Sequence, residues 1–272
     1  MDDNAKRVRS AVNRFAIRAV PALISVLVAG CSQATPPVSS PVKASSSGIC
    51  AEVGGSWDPT SETCSLTGTN ATKHITVEVT AKYPAALVDD PTAGPALNEF
   101  LRAFFARFGH PGNEFAHDGY ARLNYQTYRH GADVQSIVFY TNYDLGGVHP
   151  LADIDTFTFD FRRKIELHLA DLFCPGVDPL KALPPLARPY VQAVVNPKGN
   201  PTFDIRPYEP GDYSRDYGEN YSGNYKAWYL DNDNLVLVMP TSRSGPTPPG
   251  MFEPHVPLSA LLPVSPEGGC SV

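Results

Sequence analysis

The run Gly146-Gly147-Val148-His149-Pro150 holds an imidazole within tightly specified backbone. Two glycines permit positive φ and a sharp reversal, and Pro150 fixes the residue after His149. His149 there can act as a general base or as a partner-binding side chain at the mouth of a cleft. The same residues also read as a purely structural bend, with the imidazole bonding backbone across the turn. A serine hydrolase would need a serine on a sharp turn beside such a base. No G-x-S-x-G run occurs. Ser136, Ser214 and Ser222 are candidate nucleophiles, but nothing local pairs them with a histidine. A triad is defined by geometry and not by sequence position. A serine hydrolase using His149 with an unidentified serine therefore stays open.

Carboxylates and imidazoles elsewhere lack metal-holding spacing. Asp153-Ile154-Asp155 and Asp231-Asn232-Asp233-Asn234 offer oxygens of the kind Ca²⁺ takes, but neither continues as an EF-hand loop. The second reads more simply as a hairpin turn, where Asn and Asp tolerate left-handed backbone. His74, His110, His117, His130, His168 and His255 are scattered, with no H-E-x-x-H pair. No metal and no cofactor is expected.

Tyr208, Tyr213, Tyr217, Tyr221, Tyr225 and Tyr229 recur at intervals of five and then four, separated largely by Ser, Asp, Asn and Gly. That spacing would align the rings on a helix, yet Pro207, Pro210, Gly211, Gly218 and Gly223 oppose a long one. Tyrosine among small polar residues is the chemistry of binding loops. Tyr213, Tyr217 and Tyr221 are the candidate ligand contacts, suited to a protein surface or to sugar rings. The competing reading is a loop that packs its own rings over the sheet.

The five cysteines divide into one and four. Cys31 closes Leu27-Val28-Ala29-Gly30-Cys31, after a basic segment (Lys6, Arg7, Arg9, Arg14, Arg18) and an apolar stretch over residues 19–30. A bilayer span needs ~20 apolar residues, so the stretch suits a signal peptide. Its end resembles the bacterial lipobox, with small side chains before a cysteine that is cleaved free and lipidated. Two acyl chains of the palmitate type on Cys31 would anchor stably where one would not. Cys50, Cys64, Cys174 and Cys270 are an even set in an exported chain and allow three pairings. They contain no C-x-x-C pair of the kind zinc sites use. Cys50 and Cys64 bracket a turn-rich loop, which favours Cys50–Cys64 and, by elimination, leaves Cys174–Cys270 to pin the C-terminal tail.

The elements that must position these residues follow from composition and periodicity. The chain has 272 residues, 42% hydrophobic and 18% charged, with net charge −6. It is too apolar for disorder and lacks the basic stripe that nucleic acid requires. Residues 1–30 hold five basic and two acidic groups, so cleavage leaves 17 against 26 and a net charge of −9. Residues 31–48 read as a flexible tether, with the folded part beginning near Ile49. Alternating Ile75, Val77 and Val79 predict a strand over 73–82. Leu97, Phe100, Leu101, Phe104, Phe105 and Phe108 fall on one helical face, with Gly109 as the stop. Strands are predicted over 120–130 and 134–143, around Phe157 and Phe159, and over 165–169. A helix over 178–195 should be kinked or shortened by Pro184, Pro185 and Pro189. A hairpin over 228–239 and a short strand with one helical turn over 252–262 close the chain. Runs of antiparallel-looking strands with few helices predict an α+β fold of mixed sheets with two packed helices and disulfide staples. The expected organisation is leader 1–30, tether 31–48, N-terminal α+β subdomain 49–130 and C-terminal subdomain 131–272.

Tyr140-Thr141-Asn142-Tyr143-Asp144-Leu145-Gly146-Gly147-Val148-His149-Pro150 resembles the Gly-Gly-x-His-Pro signature of an actinobacterial and Firmicutes extracytoplasmic domain family. That family includes a mycobacterial immunogenic secreted protein and the extracellular domain of the lysozyme-sensing anti-sigma-V factor. Leu169-Ala170-Asp171-Leu172-Phe173, Asn224-Tyr225-Lys226-Ala227-Trp228-Tyr229, Pro257-Leu258-Ser259-Ala260-Leu261 and the Cys50/Cys64 pair match in order, so the resemblance spans roughly 49–265. The lipobox, the Cys174/Cys270 pair and the Tyr-rich stretch 197–224 depart from the pattern. The resemblance implies a compact extracytoplasmic domain without a single family-wide activity, some relatives being described as esterases. The expected function is a protein lipid-anchored at the extracytoplasmic face of the cell membrane that binds an extracellular protein or glycan. The alternative is the envelope carboxylesterase.

Overall fold

A computed structural model describes residues 45–147, 150–196, 225–239 and 251–270. Among them a seven-stranded sheet runs β1 (Ser56–Asp58), β2 (Thr63–Asn70), β3 (Ile75–Lys82), β4 (Gly119–His130), β5 (Val134–Asp144), β6 (Leu151–Asp160) and β7 (Ile165–Leu167), side by side in chain order. Every neighbouring pair is antiparallel except β3 and β4. A parallel pair needs a crossover. Here it contains helices α2 (Ala85–Val88) and α3 (Gly94–Gly109). A second sheet orders β10 (His255–Pro257), β9 (Asn234–Leu237) and β8 (Trp228–Asp231), all antiparallel. The fold is α+β, as periodicity predicts.

Side-chain alternation stacks these elements into layers. Ile137, Phe139 and Phe159 point to the face covered by α3, where they join Leu97, Leu101, Phe104, Phe105 and Phe108. Val138 and Ile154 point to the other face and meet Ala227, Tyr229, Val236 and Val238 of the second sheet. The alternate residues Trp228, Leu230, Leu235 and Leu237 pack on helix α4 (Pro179–Val195) through Leu183, Ala187, Val191 and Val195. The order is helix, large sheet, small sheet, helix. Polar groups pin the two sheets together. The Leu230 N–H donates to Ser136 Oγ at 3.0 Å, Ser136 Oγ lies 2.9 Å from Thr158 Oγ1, and the Trp228 N–H donates to Thr156 Oγ1 at 3.0 Å.

Several expectations meet specific outcomes. Helix α4 runs 17 residues with Pro184, Pro185 and Pro189 inside it, so the prolines do not shorten it. Its buried stripe at every fourth residue packs on the small sheet, and tertiary burial outweighs the missing N–H bonds. Helix α1 (Ser46–Glu52) begins three residues before Ile49. Ser46 is buried, its N–H donating to Asp89 at 2.6 Å and its carbonyl accepting from Tyr83 OH at 2.8 Å. The position between 130 and 131 falls in the β4–β5 turn, and β4 and β5 pair along their length. Disulfides join Cys50 to Cys64 and Cys174 to Cys270.

Candidate functional site

Four separated stretches converge around one cleft. The β4 end is tied to the β8–β9 turn, the Asn232 N–H donating to the Arg129 carbonyl at 2.8 Å and the His130 imidazole Nδ1 meeting the Asn232 carbonyl. The end of β6 is tied to the β4–β5 turn, the Phe161 N–H donating to the Asp133 carbonyl at 2.9 Å. The remaining wall is a 3₁₀ segment, Leu258–Val264, continued by Pro266–Gly268. Cys174–Cys270 and a 2.7 Å bond from the Cys174 N–H to the Val264 carbonyl hold that wall in place.

The cleft encloses about 340 Å³. Leu167, Leu172, Leu230, Leu258 and Leu261 form its floor. Asp133, Asp160, Asp171 and Glu267 also line it, with Arg162, Arg163 and His130. Arg162 Nε lies 3.6 Å from Asp133 Oδ2, and both side chains are largely in solvent. Such an exposed pair adds little stability. Asp160 is buried and accepts the Arg163 N–H at 2.8 Å. Asp171 accepts the His168 N–H at 2.7 Å, capping the 3₁₀ turn Leu169–Leu172. Ser265 also lines the cleft. It is 7% exposed, and its hydroxyl has no hydrogen-bond partner among the described residues.

His149, Tyr213, Tyr217, Tyr221 and Cys31 lie outside the described residues, as do Ser214 and Ser222. The bend before His149 is visible. Gly146 has φ +84°, and a Cβ there would come within 2.7 Å of the His117 ring. The Gly146 N–H donates to Asp144 Oδ1 at 2.7 Å. Of the candidate nucleophiles, Ser136 is fully buried in the inter-sheet bonds, away from solvent. Asp153 pairs with Arg107 at 3.2 Å and accepts from Tyr143 OH at 2.9 Å. Asp231 to Asn234 make the β8–β9 hairpin, with Asn232 at φ +47°. Among the described residues no group of His, Cys, Asp and Glu is placed to hold a metal ion.

Sequence reasoning missed the cleft. Asp133 reads as a turn residue, Arg162 and Arg163 as another turn, and Ser265 and Glu267 as tail. Nothing local shows that these places meet. The one available signal was Cys270, since a bridge to Cys174 draws the tail against the body.

A second cluster lies where the two sheets meet. Tyr128 stacks on Tyr229 with ring centroids 4.1 Å apart, and Tyr128 OH donates to Gln126 Oε1 at 2.6 Å. Burial pushes the Tyr229 and Tyr140 phenols above their ordinary range, helped by the Tyr128 hydroxyl and the nearby Glu253 charge. Burial likewise raises the Glu253 carboxyl, the His255 charge pulling the other way.

Comparison with known proteins gives a family resemblance without an activity. No curated protein matches the chain. A DUF3298 family protein from Pseudomonas aeruginosa PAO1 aligns with TM-score 0.49 and 17% identity, over 76% of this chain and 95% of that one. A DUF3298 member from Bacteroides fragilis gives 0.43 and 15%, over 75% and 91%. Residues 170–259, which hold α4 and the small sheet, match the profile of the family described as protein of unknown function, DUF3298.

Proposed function

We propose that the chain is a lipid-anchored envelope protein whose extracytoplasmic α+β domain binds an extracellular protein. Cys31 carries the lipid, and the following residues tether the domain to the membrane. The observation that supports binding is the cleft, a leucine floor among charged side chains. Such a surface holds apolar side chains and orients them by charge. A net charge of −9 after leader removal favours a basic partner, through steering more than affinity. The resemblance to the lysozyme-sensing anti-sigma-V domain and the mycobacterial immunogenic protein makes lysozyme the first partner to try; that inference is by analogy. A second reading, the envelope carboxylesterase, draws on one observation: Ser265 and His130 line the same cleft. Among the described residues, however, no serine hydroxyl is hydrogen-bonded to a histidine, and acyl transfer by serine needs that contact.

The test presents the full chain in lipid nanodiscs to lysozyme and to an acidic protein of similar size, with p-nitrophenyl esters assayed in parallel. Capture of lysozyme that falls steeply at about 0.5 M salt is expected, with no ester turnover. Turnover lost in Ser265→Ala or His149→Ala, without capture, would replace the binding reading by the hydrolase. Cys31→Ala should move the protein out of the membrane fraction.

A further inference from the structure

We propose that the cleft recognises a cationic aliphatic segment of a protein, a lysine or arginine beside a leucine-like side chain. This rests on the binding reading and assigns it a site and a chemistry. Four carboxylates and two guanidiniums line the cleft, so the site has an excess of negative charge. Arg162 is already matched by Asp133. Asp160 is buried against the Arg163 backbone N–H. Asp171 uses one oxygen to cap its turn, and Glu267 makes no ion pair among the described residues. Asp171 and Glu267 are therefore the carboxylates left to meet a ligand.

The floor sets the second requirement. Leu230 and Leu261 are almost fully buried at the base, and about 340 Å³ admits an aliphatic side chain together with the methylene stem of a lysine. Ser265 supplies a third, independent feature. A buried hydroxyl without a partner costs roughly 1–3 kcal/mol, and its free lone pairs suit a donor such as an ammonium N–H. The net charge of −9 after leader removal extends the attraction beyond the cleft, which favours a protein segment over a small amine, because a protein can offer further basic residues to the surrounding surface.

The experiment titrates the full chain in nanodiscs with three probes: the blocked tripeptide Leu-Lys-Leu, its Leu-Glu-Leu counterpart, and octylammonium. The lysine peptide should bind and the glutamate peptide should not. Asp171→Asn with Glu267→Gln should weaken the lysine peptide about tenfold, two partly exposed ion pairs being lost. Ser265→Ala should weaken it a further fewfold and raise the melting temperature, because the unpartnered hydroxyl is removed, whereas a serine that holds the fold would lower it. Equal binding of the two peptides, or no effect of the double substitution, overturns the proposal. Octylammonium binding more tightly than the peptide overturns the protein as its source. Capture of a basic protein that survives the double substitution at full strength also overturns the cleft assignment while leaving the binding reading intact. Failure to capture any basic protein defeats that reading itself.

Discussion

On the α3 face of the seven-stranded sheet the core is rich in aromatic rings and drawn from a single run of chain, Ile49 to Phe159. Between the small sheet and α4 a second core is mainly aliphatic and gathered from separated stretches: Leu167 to Val195, Tyr225 to Met239, and Val256 to Leu261. The first face is closed by α3, whose C-terminus crosses β2 so closely that a Cβ on Gly68 would meet the Phe108 carbonyl at 2.5 Å. The second core has joints, because each stretch must enter and leave the layer. The cleft is such a joint, walled by the tail that Cys174–Cys270 holds. A layer assembled from distant pieces buries apolar surface less continuously, and the gaps between pieces are where a ligand can enter.

The two disulfides offer the strongest way to break that contrast. Cys50–Cys64 closes a separation of 14 residues and Cys174–Cys270 one of 96. Chain entropy assigns about 3 kcal/mol to a loop of ~15 residues and about 4.7 kcal/mol to one of ~100. Replacing Cys174 and Cys270 by Ser should therefore cost more than replacing Cys50 and Cys64, read by urea denaturation. Hydrogen exchange should accelerate first in β8 to β10, while the strands under α3 keep their protection. A uniform loss across both cores would show that the small sheet is as firmly built as the α3 side.

The same contrast explains what was legible in the sequence. Leu97 to Phe108 and Ile75 to Val79 carry strong periodicity because each packs one face on a continuous core. The hairpins over 120–143 and 228–239 are equally clear, since their turns hold Gly131 and Asn232, both at positive φ. Strand β2 is nearly invisible. Its buried positions are Cys64 and Gly68, with Leu66 partly covered, so it shows no apolar alternation. Helix α1 begins in a serine run that reads as tether, because its N-terminal anchor is Asp89, 43 residues away. The candidate site was least legible of all. Its charged lining comes from turns whose own sequences ask only for polar residues, and convergence of separated turns leaves no local mark.

A smaller effect sharpens the comparison at the joint between the sheets. Ser136 bonds Thr158 and accepts the Leu230 N–H, all three buried. Ser136→Ala leaves a buried backbone N–H and a threonine hydroxyl unpaired, which should cost about 1–3 kcal/mol. Its neighbour Ile137 points the other way, into the α3 core. Ile137→Val removes one methyl group, at about 0.5–1.5 kcal/mol. Denaturation midpoints of the two variants should place Ser136→Ala as the costlier, small as its side chain is. The reverse order would mean that the sheets are held by apolar packing alone.

The smallest expected effect depends on pH and compares two half-buried carboxyls. Glu253, beside the small sheet, has one oxygen buried with no hydrogen-bond partner among the described residues, and burial raises its carboxyl above the ordinary range. Asp155, on β6, is raised by burial as well, but the Lys226 and Arg107 charges nearby favour its ionised form. A folded pKa above the unfolded one means that the folded state holds the proton more tightly. The stabilising contribution is then fully present below the ordinary carboxylate range and is lost as pH rises through the folded value. As pH rises the Glu253 charge must form where burial opposes it. Glu253→Gln removes that cost, so its melting temperature should exceed the wild-type value by about 1–3 °C at neutral pH and converge with it toward pH 4. Asp155→Asn should gain less at neutral pH, because the substitution also discards an attraction to Lys226 and Arg107. Melts of both variants across that range decide the matter. A gain for Glu253→Gln that does not change with pH would show that the carboxyl is not held in this unpaired, buried state, and a larger gain for Asp155→Asn would reverse the ranking of the two carboxyls.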